Sequence, residues 1–273
     1  MVLSYVPVQP EWHKNAQHLI KKPSVYLQHS IAYVYQLNFD NTHESTVLLH
    51  GIPDGCIDVV FNLNGDVNDC YLIPSTRERV MFPFNKAHEY FGIRLLPLQT
   101  IFPITLPLAT LNEIQKVPLF LASPSLRELY DLLLRATNLH ERLHAVEQFI
   151  CDKQQAIYTP SDLMKNCLHI IYKERGRAKL IDLEQYTCYT TRYLRKVFQA
   201  ELGISPKAFL DIVYVQFAVQ ELLCSHFSLE QHLFDYELYD VSHFYKKFKK
   251  TVQMTPMAYV RLLQSTAEPL RFT

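Results

Sequence analysis

Residues 139–144, Leu-His-Glu-Arg-Leu-His, contain the pattern His-Glu-x-x-His. Two histidines four residues apart on a helix can bind one zinc ion from the same face, and the glutamate between them can act as a general base. His140, Glu141 and His144 are therefore candidates for the centre of a zinc-dependent hydrolase. Such a centre also requires a third protein ligand and an open coordination position for water.

The sequence around the motif does not supply that third ligand. Ala145-Val-Glu-Gln follows the motif, and the first glutamate after Glu147 is Glu174, beyond a domain boundary predicted near residue 159. Apolar residues recur at helical spacing through the same segment, at Leu139, Leu143, Val146 and Ile150. This spacing favours an amphipathic packing helix with its histidines and glutamates in water. The zinc hydrolase stays open as the alternative function, and we expect no metal and no cofactor.

Other catalytic patterns are absent from the sequence. The six glycines form no phosphate-binding loop, and no Gly-x-Ser-x-Gly turn occurs. Asp54, Asp58 and Arg94 fall on or near predicted strand ends, where they are candidates to line a ligand pocket. Turn formation explains Asp54 equally well, and surface pairing explains the other two. We therefore do not expect an enzyme.

Composition indicates a globular chain of 273 residues, 48% hydrophobic, with room for two domains. The six cysteines are scattered and form no Cys-x-x-Cys pair, which is typical of a reducing cytoplasm. No apolar run approaches the roughly 18 residues of a membrane helix, so we expect no membrane partner. Residues 1–159 carry 12 Lys and Arg against 15 Asp and Glu, whereas residues 160–273 carry 15 against 12. The two halves are expected to meet different partners.

The first half is rich in strand-forming segments. β-Branched and aromatic residues dominate residues 30–39, residues 57–63 run into Asn64-Gly65, and residues 79–84 and 89–95 flank a turn at Asn85-Lys86. The Asn-Gly pair predicts a tight hairpin with a partner strand near Tyr71. Short strands at this spacing predict an antiparallel sandwich or small barrel.

Helical patterns replace the strands beyond residue 110. Ser123-Pro124 predicts the start of a helix with a stripe at Leu126, Leu129, Tyr130, Leu133 and Leu134. A second helix over residues 138–153 completes a hairpin spanning residues 123–153. Thr159-Pro-Ser-Asp162 predicts a capping box at the start of a new domain. We therefore predict an α+β chain with domains at residues 1–158 and 159–273.

The second half contains an internal repeat. Leu194, Phe198 and Leu202 are followed by Ile204-Ser-Pro206, and 50 residues later Phe244, Phe248 and Val252 are followed by Met254-Thr-Pro256. A shorter helical stretch precedes each segment, at residues 180–186 and 229–236. The repeat predicts two helix-turn-helix units joined by a connecting helix over residues 205–223. An unrelated helical bundle with coincidental spacing is the alternative.

Basic residues cover the predicted outer face of each second helix. These faces carry Arg192, Arg195, Lys196 and Gln199 in the first unit and Ser242, His243, Lys246, Lys247 and Lys250 in the second. Arginine can bond bidentately to guanine in the major groove, and lysine meets base edges or phosphates. This placement favours double-stranded DNA as the partner over the alternative of a solvated helix face.

Residues 160–263 resemble the DNA-binding domain of AraC/XylS-type transcriptional regulators. The resemblance lies in Leu194-Arg-Lys-Val-Phe198, Leu202-Gly-Ile-Ser-Pro206 and Ser242-His-Phe-Tyr-Lys-Lys-Phe248. Pro53-Asp-Gly-Cys-Ile-Asp-Val-Val-Phe61 and Tyr90-Phe-Gly-Ile-Arg94 are similar to segments of sensor domains attached to such regulators. The second unit departs from the family at His232-Leu233 and Glu237-Leu238, so base contacts are expected chiefly from Arg192, Arg195 and Lys196.

The resemblance implies an N-terminal cupin-like sensor domain and a cytoplasmic, sequence-specific DNA-binding regulator. It implies control by a small-molecule effector or by a homodimer formed through the N-terminal domain, and RNA polymerase as a further partner of an activator. A protein that coats DNA without sequence preference is the remaining alternative, and it would show a steep salt dependence with no preferred site.

Overall fold

The computed structural model describes residues 5–39, 45–98, 101–102, 104, 116–153, 160–223 and 241–264. Strands fill most of the first half, and helices dominate the remainder. The strands are β1 Gln17–Lys21, β2 Ile31–Asn38, β3 Thr46–Gly51, β4 Ile57–Asn62, β5 Tyr71–Ile73, β6 Val80–Asn85, β7 Tyr90–Leu95 and β8 Val117–Pro118. The helices are α1 Trp12–Asn15, α2 Leu119–Ala122, α3 Leu126–Arg135, α4 Leu139–Lys153, α5 Asp162–Lys173, α6 Leu180–Thr187, α7 Thr191–Leu202, α8 Pro206–Leu222, α9 Val241–Val252 and α10 Pro256–Gln264.

Two antiparallel sheets form the N-terminal domain. One has six strands in the order β1-β2-β7-β4-β5-β8, and the other pairs β3 with β6. Successive residues of a strand point to opposite faces. Even-numbered residues of β4 and β7, such as Val60 and Tyr90, therefore meet the small sheet, whereas odd-numbered residues such as Phe61 and Phe91 meet helices α2 to α4. The sandwich predicted from the sequence is confirmed, with a helical layer on its outer face.

Gly92 marks a close approach inside this sandwich. A Cβ atom on Gly92 would lie 2.0 Å from Cζ of Tyr35, a distance that no side chain tolerates. The absence of a side chain at Gly92 therefore lets the Tyr35 ring lie across β7. Arg94, two residues further along the same face of β7, is buried beyond that ring.

The structure contradicts both hairpins that the sequence predicts, although the strands themselves are present. The partner of β4 does begin at Tyr71, but a short 3-10 helix, Val67–Asp69, separates the two strands, so the tight Asn64-Gly65 hairpin is wrong. Strands β6 and β7 exist where the sequence predicts them, yet they do not pair with each other. β6 pairs with β3, and β7 lies between β2 and β4 in the other sheet. The segment around residues 85–89 is thus a connection between sheets.

The predicted helical hairpin is present as α3 and α4. Helix α3 begins at Leu126 and not at Pro124, because residues 123–127 first form a turn. Four residues of the predicted α3 stripe are buried, but Leu134 is exposed. The α4 stripe also differs from the prediction. Phe149 joins it, and Arg142 is buried, where it donates to Gln36 at 2.5 Å and to Glu89 at 2.7 Å.

The C-terminal domain consists of helices α5 to α10 within the described ranges. Ser161 caps α5 by accepting a hydrogen bond from the Met164 amide, so the capping box predicted at Thr159 is wrong; Thr159 itself lies outside the described residues. The stretch 229–236, predicted as the first helix of the second unit, and the departures at 232–233 and 237–238 also lie outside them. In the described part of the chain, no single helix is long and apolar enough to cross a membrane. Helices α7 and α8 together are long and apolar enough, but the pair is bent by 65°.

Candidate nucleic-acid interface

The first helix-turn-helix unit is formed by α6 and α7 with a three-residue turn. Cys188 ends α6 in the left-handed conformation at φ 59°, and Thr190 caps α7 through its side chain. The Glu184 carboxylate of α6 also accepts a hydrogen bond from the Thr191 amide at the start of α7. Gly203 then ends α7 at φ 70°, and Ser205-Pro206 starts α8. These local signals fix the unit.

Helix α7 turns its apolar stripe inward and its basic residues outward. Leu194 and Phe198 are fully buried, and Leu202 is nearly so. All four polar residues that the sequence assigns to DNA contact are exposed, namely Arg192, Arg195, Lys196 and Gln199. Gln199 also donates to the Gly203 carbonyl at 3.1 Å. The structure thus places these side chains on one continuous surface of α7, where they are available to a partner.

Tyr193 also belongs to that surface, although an uncharged aromatic residue is not predicted there by the pattern of basic residues. Its side chain is 45% exposed and stacks on Tyr189, with ring centroids 5.0 Å apart. The signal that identifies it is the repeat. Tyr193 occupies the position that His243 occupies in the second unit, at the same 50-residue offset as the apolar stripes.

The second unit presents a basic face with one exception. Ser242, Lys246 and Lys250 are exposed on α9, as is Lys249, which was not predicted, while the His243 side chain lies outside the described part. Lys247 instead bonds to Asp211 at 3.0 Å and lies 4.4 Å from the centre of the Tyr214 ring. Burial lowers the pKa of Lys247 despite Asp211. Lys247 therefore packs between α9 and α8 and does not share the exposed face.

The end of α9 is held by the N-terminal domain. Gln253 takes a left-handed conformation at φ 60°, at the position where the first unit has Gly203. A non-glycine residue in that region costs roughly 1–2 kcal/mol. The Gln253 side chain donates to Glu78 at 2.8 Å, and the Arg79 amide donates to the Thr251 carbonyl at 2.9 Å. These contacts offset the strain and join the two domains.

The three residues predicted to line a ligand pocket meet in one buried network. Arg94 donates to both carboxylate oxygens of Asp58, at 3.0 and 2.6 Å, and its Nη1 lies 3.1 Å from Asp54 Oδ2. Tyr33 accepts from Arg94 at 2.9 Å, and the Trp12 ring centre lies 5.0 Å from the guanidinium carbon. Burial disfavours the charge on Arg94, but the Asp58 carboxylate outweighs it and holds the pKa of Arg94 above its usual value.

The cavity beside this network is small. Its volume is about 20 Å³, room for roughly one water molecule. Gln9 and Trp12 line it together with all three charged residues. An organic ligand at this site would have to displace some of the contacts that hold Arg94. In this conformation the three side chains satisfy one another.

A loop of the N-terminal domain, residues 53–56, connects the network to α8. Asp54 supplies a carboxylate to the network, and its carbonyl accepts from Tyr5 at 2.8 Å. A Cβ on Gly55 would lie 2.7 Å from the Phe209 ring of α8. Gln216 of α8, fully buried, donates to the Pro53 carbonyl at 2.9 Å. Gln216 also accepts from the amide of residue 8 at 2.9 Å, so one side chain of α8 joins two segments of the N-terminal domain.

The His-Glu-x-x-His segment begins α4 and has a capping role. Glu141 accepts hydrogen bonds from the amide and hydroxyl of Thr137, at 2.8 and 3.0 Å, and from Asn138 at 2.8 Å. His140 Nδ1 lies 2.8 Å from the Lys21 ammonium nitrogen, a cation that disfavours a metal ion there. Among the described residues, no three His, Cys, Asp or Glu side chains are grouped to hold a metal ion.

Comparison with known proteins identifies the C-terminal domain. A family model described as a helix-turn-helix domain matches residues 183–262, which contain α7, α8 and α9. These residues form an AraC-type helix-turn-helix domain. A domain of this type is the DNA-binding part of a transcriptional regulator, which contradicts the zinc hydrolase as the alternative function. A second model, a domain of unknown function (DUF6597), matches residues 21–117, and no curated protein matches the chain.

Solved structures of ToxT from Vibrio cholerae are similar to this chain along most of their length. An apo variant from strain SCE256 is 11% identical over 91% of this chain and 97% of ToxT, with a TM-score of 0.43. ToxT from strain O395 is 11% identical over 92% and 98%, with a TM-score of 0.42. ToxT bound to an unsaturated fatty acid is 14% identical over 93% and 96%, with a TM-score of 0.40.

Proposed function

We propose that this chain is an AraC/XylS-type regulator that reads a specific DNA sequence by placing α7 and α9 in successive major grooves, about 34 Å apart on one face of the duplex. The exposed polar surface of α7, with Arg192, Arg195 and Lys196, is the observation that carries this proposal. Lys246 and Lys250 supply the corresponding charges on α9. Arg195 reads bases, and Lys250 meets phosphate.

Competition binding separates the two roles. Arg195→Ala should cost about 1–3 kcal/mol at the preferred site and should relax the choice of sequence. Lys250→Ala should weaken all sequences alike and lower the salt slope by about 1. Uniform losses in both variants would refute the assignment of base and phosphate roles.

We propose further that the N-terminal domain controls the DNA-binding domain through the contacts on α8. The loop of residues 53–56 supports this proposal, because it carries Asp54 of the Arg94 network and also packs against Phe209 and Gln216. A ligand changes an equilibrium between two arrangements only if it favours one of them. A small polar effector that takes over contacts of Asp54, Asp58 or Arg94 would meet that condition, since it would move this loop.

Substitution of the linking side chain tests this control. Gln216→Met keeps the volume but removes the hydrogen bonds of this side chain to the N-terminal domain, and it should change the DNA affinity of the intact chain by at least about fivefold. Gln17→Met, an exposed glutamine on β1, is the matched control and should leave the affinity unchanged. Equal affinities for Gln216→Met and the unaltered chain would refute control through α8.

A homodimer is the second version of the same control. Leu121, Leu132 and Leu134 of the helical layer are 69%, 36% and 42% exposed, which favours a second copy of the chain as partner. Sedimentation of the intact protein distinguishes the versions. A concentration-dependent dimer that Leu132→Glu/Leu134→Glu abolishes would support dimerisation, and a monomer at all concentrations would contradict it. As an activator, the protein would also contact RNA polymerase.

A further inference from the structure

Two exposed tyrosine rings lie at the start of α7, the second helix of the first helix-turn-helix unit. Tyr189 is 47% exposed and Tyr193 is 45% exposed, and their rings stack with an interplanar angle of 22°. A stacked pair has fewer conformations to lose on binding than two free side chains. Exposed apolar surface of this kind next to a polar rim is typical of an interaction site.

The stack is continuous with the polar surface of α7 that the proposed function assigns to DNA. Tyr193 lies in the first turn of α7, where its amide is capped by the Thr190 side chain. At 3.6 residues per turn, Tyr193 and Lys196 both point away from the buried Phe198, and Arg192 lies on the same exposed side. In helix-turn-helix proteins the residues at the start of the recognition helix contact base edges. The two rings are therefore positioned for bases and not only for the phosphate backbone.

We propose that the Tyr189–Tyr193 stack packs against the C5-methyl group of thymine in the major groove and so determines part of the sequence specificity. This inference rests on the proposed entry of α7 into that groove. The thymine methyl is the apolar group that base edges present there, whereas guanine and adenine are recognised through hydrogen-bond donors and acceptors. Arg195 and Lys196 are suited to those polar atoms, whereas an aromatic face is suited to the methyl.

Replacement of single thymines by deoxyuridine isolates the methyl group, because Watson–Crick pairing is unchanged. The intact protein is bound to a DNA fragment that it prefers over competitor DNA, and each thymine of the fragment is replaced in turn. Burial of one methyl corresponds to about a fourfold change in affinity. We expect this loss at one or two thymines and no change at the others.

Variants assign the loss to the tyrosines. Tyr193→Ala should bind the two forms of the DNA equally at the sensitive position, while Tyr193→Phe, which keeps the ring, should retain the difference. Tyr26→Ala removes a tyrosine of the N-terminal domain that is 52% exposed, and it should also retain the difference. All three positions are exposed, so folding is preserved.

Insensitivity of every thymine in the unaltered protein would overturn the inference, as would a difference that persists in Tyr193→Ala. If Tyr193→Phe also loses the affinity difference between thymine and deoxyuridine, the hydroxyl and not the ring is the important group, and the inference is overturned too. The same fragments separate this inference from the proposed function. Sequence preference that Arg195→Ala relaxes, without any effect of deoxyuridine, leaves groove binding intact and removes only the role of the tyrosines. Absence of any preferred fragment refutes both.

Discussion

Arg94→Met should destabilise the N-terminal domain strongly, because it leaves two carboxylates buried without their counter-ion. Asp54 and Asp58 are 4% and 5% exposed, and Arg94 is 1% exposed. Removal of one partner from a buried ion pair costs about 3–5 kcal/mol. With a urea dependence of about 1–3 kcal/mol per molar, the unfolding midpoint should fall by roughly 2 M.

The only tryptophan of the chain reports this change directly. Trp12 is 1% exposed and lies beside the Arg94 guanidinium, so its fluorescence follows unfolding of the N-terminal domain. Lys153→Met, which breaks an exposed pair with Glu128 in the same domain, should cost less than about 1 kcal/mol. Addition of Asp58→Asn to Arg94→Met should recover part of the loss, since one uncompensated charge is removed. An Arg94→Met midpoint equal to that of Lys153→Met would refute the reasoning.

Three further predictions concern other parts of the chain. Hydrogen bonds from Tyr90 and neighbouring side chains outweigh burial and hold the pKa of Asp69 below its usual value. This carboxylate therefore stabilises the fold above about pH 4 and loses that effect on acidification. Urea titrations between pH 3 and 7 should show that the free energy of unfolding of Asp69→Asn depends less on pH than that of the unaltered protein. Gln253→Gly relieves about 1–2 kcal/mol of backbone strain, so thermal unfolding should show the C-terminal domain stabilised. The same substitution removes the hydrogen bond to Glu78, so hydrogen exchange should show less protection where the two domains meet. Equal exchange in the variant and the unaltered protein would contradict the role of that bond. Protein purified without a metal-affinity tag should contain no stoichiometric zinc, and His140→Ala should have the same metal content; bound zinc that the substitution removes would contradict the capping role of this segment.

Local signals explain why the C-terminal domain is predictable from the sequence. The stripe of Leu194 and Phe198, the left-handed Gly203 and the Ser205-Pro206 helix start all act within one or two turns, so the sequence contains them in order. The helices α6, α7, α8 and α9 lie where the repeat predicts them. The same repeat contained the information on Tyr193, which the choice of charged residues alone passed over.

Pairing between distant segments was not predictable in the same way. β6 and β7 are adjacent in the chain and read as a hairpin, yet β6 pairs with β3, whose Val47-Leu48-Leu49 run lacks a clear alternation of polar and apolar residues. Lys247 resembles its exposed neighbours in sequence, and only the packing of α9 on α8 brings it to Asp211. Such choices depend on which faces meet, and the type of residue does not specify that.

The most direct test of the central claim is selection of bound fragments from sheared DNA of the source genome at near-physiological salt. The intact protein is compared with an Arg195→Ala/Lys196→Ala variant, whose substituted side chains are exposed and whose fold is therefore preserved. We predict that the intact protein enriches a small set of promoter fragments and that the variant does not. Equal enrichment of all fragments by the intact protein, or the same fragments selected by the variant, would contradict sequence reading by α7.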